Sequence, residues 1–77
     1  MDAHKLIDMA NRIADFFQAD PDRQAALEGI AGNLKRFWDP RMRREILRLV
    51  DAHQAQDLSP LVIDALRAHR QLLEPNK

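Results

Sequence analysis

Cysteine and tyrosine are absent from this 77-residue chain, serine and tryptophan occur once each, and glycine occurs twice. Without thiols neither a disulfide framework nor a thiolate metal site can form, which suits a reducing cytosol, and no cysteine nucleophile is on hand. The one serine, Ser59, stands before Pro60 at a helix start, where capping accounts for it. Gly29 and Gly32 lie inside a helical stretch rather than between a strand and a helix, so no phosphate-cradling loop is present. No run approaches the roughly 18 consecutive apolar residues of a membrane span. The start "MDAHKLIDMANRI" has an acidic second residue and charges breaking every apolar run, so it reads as no signal peptide. The expected location is the cytoplasm. Net charge is also missing: twelve basic side chains balance twelve acidic ones.

What is present is helical. Apolar residues make up 45% of the chain and charged ones 31%, which suits a folded domain and argues against disorder. The length suffices for one domain, residues 1–77, with one small core. Asp20–Pro21, Asp39–Pro40 and Ser59–Pro60 each pair a good N-cap with a proline whose missing N–H is harmless at the first helical position. These corners predict an all-α bundle of four helices, about 3–18, 21–37, 40–54 and 60–73, with Asp2 capping the first.

The apolar period agrees. Leu6, Ile7, Ala10, Ile13, Ala14 and Phe17 line one face of the first helix, widened by Met9 and Phe16, while Asp8, Asn11, Arg12 and Asp15 take the other. In the second helix Leu27, Ile30, Leu34 and Phe37 share a side, and Ala25, Gly29 and Gly32 form a separate narrow face. That glycine face admits a close neighbour, either the first or fourth helix of the same chain or another chain. Met42, Ile46, Leu49, Val50 and His53 make the stripe of the third helix, and Leu61, Val62, Ala65, Leu66, Leu72 and Leu73 that of the fourth.

Catalytic and metal-binding arrangements do not emerge from the spacing. Acids are scattered singly along polar faces, and His4, His53 and His69 form no i, i+4 ligand pair. The chain is therefore expected not to be an enzyme by itself and to bind no metal or cofactor. Its distinctive feature is charge placement. Residues 1–34 hold three cations against six acids, giving −3. Residues 35–50 hold six cations against Asp39 and Glu45, giving +4, and residues 51–77 sum to −1. The basic island is "LKRFWDPRMRR" (34–44) and its continuation to Arg48.

Three uses of that island stay open. Arg41, Arg43 and Arg44 could lead a recognition helix into nucleic acid, although a pI near 6.8 and acidic flanks oppose it. The cations could pair with nearby carboxylates as a solvated face. They could also form a docking surface, since arginine and tryptophan are enriched in interface hot spots. Self-association through the glycine face and the wide stripe of the first helix is a further route to a partner.

"LIDMANRIADFF" (6–17), "EGIAGNLKRFWDPRMRREIL" (28–47) and "LSPLVIDAL" (58–66) resemble the delta subunit of cytoplasmic, NAD-dependent, molybdenum-containing formate dehydrogenases. The likeness spans about residues 5–70, and the run "IA..LKRFW.PRMR" is present without departure. The resemblance implies a non-catalytic accessory subunit that docks on the alpha (catalytic) subunit and supports its assembly or stability. In such enzymes partner subunits carry the bis-molybdopterin guanine dinucleotide centre, iron–sulfur clusters and FMN. The matching positions Lys35, Arg36, Phe37, Trp38, Pro40, Arg41, Met42 and Arg43 are then expected to serve recognition. Adding the arginine stripe, the expected partner-binding set is Lys35, Arg36, Trp38, Arg41, Arg43, Arg44 and Arg48, with Trp38 at the apex of the corner and Phe37 and Met42 plugging its core side. Handling of the anionic molybdenum cofactor by the same arginines is the rival use.

Overall fold

In a computed structural model, residues 2–75 are described, and they form five helices: α1 (Ala3–Phe17), α2 (Arg23–Phe37), α3 (Pro40–Asp51), α4 (Pro60–Ala68) and α5 (Arg70–Leu73). Side-chain caps fix four of the starts. Asp2 accepts the His4 N–H at 2.9 Å, Asp39 accepts that of Met42 at 3.0 Å, and Ser59 accepts that of Leu61 at 3.2 Å. The second start differs from the expected Asp20–Pro21 corner. Asp20 instead accepts the Asp22 N–H at 2.9 Å, closing a turn around Pro21, and Asp22 caps the helix by accepting from Ala25 at 3.3 Å. Two aspartates flank that proline, and the one that reaches the third N–H of the helix sets its origin.

Two ends also depart from the sequence expectation. α3 stops at Asp51 rather than residue 54, because His53 takes a left-handed φ of 57°. Gln54 N–H then donates to the Leu49 carbonyl at 2.8 Å and His53 N–H to that of Val50 at 3.1 Å, the paired bonds of a Schellman stop. His53 is thus exposed beyond the helix instead of on its apolar stripe. The anticipated helix 60–73 is broken at His69 (φ −121°, ψ 31°), so α5 starts afresh and buries Leu73. The fold is all-helical with one helix more than the four anticipated.

α2 is central, packing on α1, α4 and α5, while α1 also touches α3 and α4. Trp38 and Asp39 are both extended, and this two-residue corner turns the chain so that α3 packs on α1. Ile30, Leu34, Ile46, Val62, Leu66 and Leu73 are fully buried. Buried Ala10, Ala14, Ala26, Ala31 and Ala65 let the helices approach closely between them. The α3–α4 loop is held by Asn11, whose amide donates to the Asp57 carbonyl at 2.9 Å and accepts the Ser59 N–H at 2.7 Å. A residue from the polar face of α1 thereby satisfies two backbone groups some 46 and 48 positions away.

Candidate docking surface

Cations divide sharply by whether they meet a carboxylate. Arg12 pairs with Asp8, Arg23 with Asp64, Arg48 with Glu45, and Arg70 with both Asp51 and Glu74. Among the described residues Lys35, Arg36, Arg41, Arg43 and Arg44 meet none, as do Lys5 and Arg67, which stand singly on α1 and α4. Five unpaired cations therefore fall within ten residues around the α2–α3 corner. The acid inside that segment, Asp39, directs its Oδ1 at the Met42 N–H to cap α3. Lys35, Arg36, Arg41 and Arg44 are exposed to solvent.

The two aromatic side chains at the corner are placed opposite to expectation. Trp38 is only 5% exposed and belongs to the main core, whereas Phe37 is 68% exposed. Helical period puts Phe37 in line with Ile30 and Leu34, but at the last residue of α2 that stripe has run past the covered part of the bundle. The extended backbone of Trp38 (φ −92°, ψ 134°) lets its larger ring fill the core there instead. Met42 is half-buried against the core, as read from the sequence.

Arg43 is likewise not a surface residue. It is 7% exposed, and its guanidinium donates to the Leu73 carbonyl at 3.3 Å, leaving Nε without a partner among the described residues. Leu73 ends α5, where helix carbonyls lack intrahelical donors, so Arg43 closes the C-terminus of the chain's last helix. Arg48 is exposed, but Glu45 already holds it through bonds of 3.0 and 2.7 Å. Of the seven residues expected to bind a partner, Lys35, Arg36, Arg41 and Arg44 thus remain as free exposed charges; Trp38 and Arg43 brace the corner from within.

A shallow groove of about 690 Å³ lies between α3 and the α5 end of the chain, lined by Arg44, Leu47, Arg48, Asp51, Arg70 and Glu74. Arg70 is forked onto Asp51 at 2.9 and 2.7 Å and bonds Glu74 through Nε at 2.8 Å. These bonds raise the Arg70 pKa, and the Arg70 hydrogen bonds lower that of Asp51. Glu45 is lowered in the same way by its hydrogen bond from Arg48. A depressed folded pKa means that each pair contributes above the ordinary carboxylate value of about 4 and is lost as pH falls through the lower folded value. The melting midpoint is therefore expected to fall in acid below about pH 4, and Asp51→Asn to flatten that descent. Thermal melts across this range check it; superimposable pH profiles for the two proteins would contradict it.

On the glycine face, a Cβ at Gly29 would run into the Phe17 ring, so α1 of the same chain occupies that position. Phe17 in turn packs edge-to-face with Phe16 at 5.1 Å, and Phe16 is itself 78% exposed. Gly32 has open space, with nothing near its missing side chain. Within the described residues no three His, Asp or Glu side chains come together as a metal-holding group, and no helix is long and apolar enough to cross a membrane. Sequence reading missed the Asn11 clamp, because amide-to-backbone bonds between distant segments leave no local pattern. It also missed Arg70, although the i, i+4 spacing to Glu74 was visible.

The structure thus defines a small helical protein whose concentrated chemistry is a cationic corner on its surface. The chain belongs to the NADH-dependent formate dehydrogenase delta subunit family (FdsD), whose family model matches residues 5–66. The match includes most of α1, all of α2 and α3, the whole corner and most of α4, and the likeness of the three segments above is thereby a family membership. No curated protein and no solved structure matches the chain. Membership places it with a formate dehydrogenase complex.

Proposed function

We propose that this delta subunit is a non-catalytic part of a cytoplasmic NAD-dependent formate dehydrogenase, docking on the molybdenum-bearing alpha subunit to support its assembly or stability. The redox groups (bis-molybdopterin guanine dinucleotide, iron–sulfur clusters and FMN) then reside in partner subunits, and this chain binds none of them. The observation that carries the reading is the set of exposed, unpaired cations Lys35, Arg36, Arg41 and Arg44 in a segment within the family match. Elsewhere among the described residues Arg12, Arg23, Arg48 and Arg70 find carboxylates of the same chain, and the unpaired Lys5 and Arg67 stand singly. Here the cations project unmatched from helix ends joined by two residues, a charge arrangement suited to orienting a protein partner. Arg41 and Arg44 can each grip a carboxylate bidentately, which fixes geometry in a way lysine does not.

Co-expression of the remaining subunits with and without this chain tests the role. Formate-dependent NAD reduction and molybdenum content per catalytic subunit are expected to drop when it is omitted. Equal activity and equal metal content in both preparations would contradict an assembly or stability role.

A further inference from the structure

We infer that the partner surface met by the α2–α3 corner is an apolar socket bordered by carboxylates, and that Phe37 is the side chain that enters it. The inference rests on the docking reading above and adds the chemistry of the surface docked against.

Phe37 is a large ring left 68% exposed at the corner, between the free cations Lys35 and Arg36 on one side and Arg41 and Arg44 on the other in sequence. Aromatic residues and arginine are enriched in interfaces, with a buried anchor at the centre and polar groups at the rim. Helix rise puts Arg41 and Arg44 within about 8 Å along α3 from Asp39, so ring and charges share one end of the bundle. The corner is also held in place before any partner arrives. Trp38 is packed in the core beneath it, Asp39 caps α3, and Arg43 is bonded to the end of α5. A surface already held loses little freedom on binding.

Charge complementarity selects carboxylates in a compact patch over an extended polyanion. Residues 35–50 carry +4, but residues 1–34 carry −3 and residues 51–77 carry −1, so a long phosphate chain leaving the corner meets repulsion. A ring of Asp and Glu around an apolar hollow meets the cations alone. It also supplies what Phe37 lacks in this chain, a place out of water.

The test uses the formate dehydrogenase complex prepared without this chain, titrated with the wild-type protein and with Phe37→Ala. Because the Phe37 ring is exposed, the variant is expected to melt like the wild type while binding roughly 30-fold more weakly or worse, the effect of removing a central anchor. Treatment of the wild-type complex with a zero-length carbodiimide is expected to join the Lys35 amine to an Asp or Glu of a partner subunit, identified by mass spectrometry. If the complex forms but Phe37→Ala binds as tightly as wild type, or Lys35 couples to no partner carboxylate, the socket is wrong and docking alone survives. If the wild-type chain binds no formate dehydrogenase subunit, both fall. Salt-sensitive binding to a generic nucleic-acid duplex in place of the complex overturns both as well.

Discussion

Trp38→Ala is expected to remove a large share of the protein's stability and to move its urea midpoint far down. The ring is 5% exposed and sits in the same core as Leu34, Ile46 and Leu73. Emptying a buried aromatic site costs about 3–5 kcal/mol. A chain of this size has a total stability of roughly 4–11 kcal/mol, so the loss removes a large share of it. The packed ring also holds the extended residue that ends α2, so the corner that aims α3 depends on it. Urea unfolding followed by circular dichroism measures the effect. A midpoint unchanged from wild type would mean that Trp38 is a surface residue after all. Phe37→Ala, one residue away, is the natural control, because it removes a ring of similar chemistry from outside the core.

The Arg41→Glu/Arg44→Glu double variant should give the opposite pattern. Among the described residues neither guanidinium bonds a carboxylate, and both are exposed, so no ion pair is lost. Each replacement changes the charge by two units, which takes residues 35–50 from +4 to zero. Glutamate at position 41, in the first turn of α3, also faces the positive end of the helix dipole, and both replacements relieve the crowding of cations at the corner. Stability is therefore expected to hold or rise by a few tenths of a kcal/mol. Binding to an acidic partner surface is expected to weaken by about 2–4 kcal/mol, or roughly 30- to 1000-fold. Affinity and stability moving in opposite directions would separate docking from damage to the fold.

Helix content, the α3 and α4 starts and most of the core were legible because they rest on local signals. These are an apolar period of 3.6, an Asp or Ser cap and a proline at the first helical position. What was not legible depends on contacts between elements. Periodicity alone puts Phe37 on the buried side of α2 with Ile30 and Leu34, and only the end of the bundle's coverage leaves it outside. Arg43 looks like one of several cations in a solvated run until α5 is brought beside it and offers the Leu73 carbonyl. His53 carries no sequence mark of a helix stop, since left-handed positions favour glycine and here an exposed histidine takes one. The cationic island was visible in the sequence, but its significance lies in which members stay unpaired. Among the described residues Arg48 and Arg70 pair with carboxylates, and Arg41 and Arg44 do not.

The most direct measurement is the dissociation constant of the isolated chain for the formate dehydrogenase complex, compared between wild type and the Arg41→Glu/Arg44→Glu variant in parallel with their melting curves. Weaker binding by 30-fold or more with an undiminished melting midpoint is the expected result. Equal affinity of the two folded proteins would show that the free cations of the α2–α3 corner do not hold this chain to its enzyme.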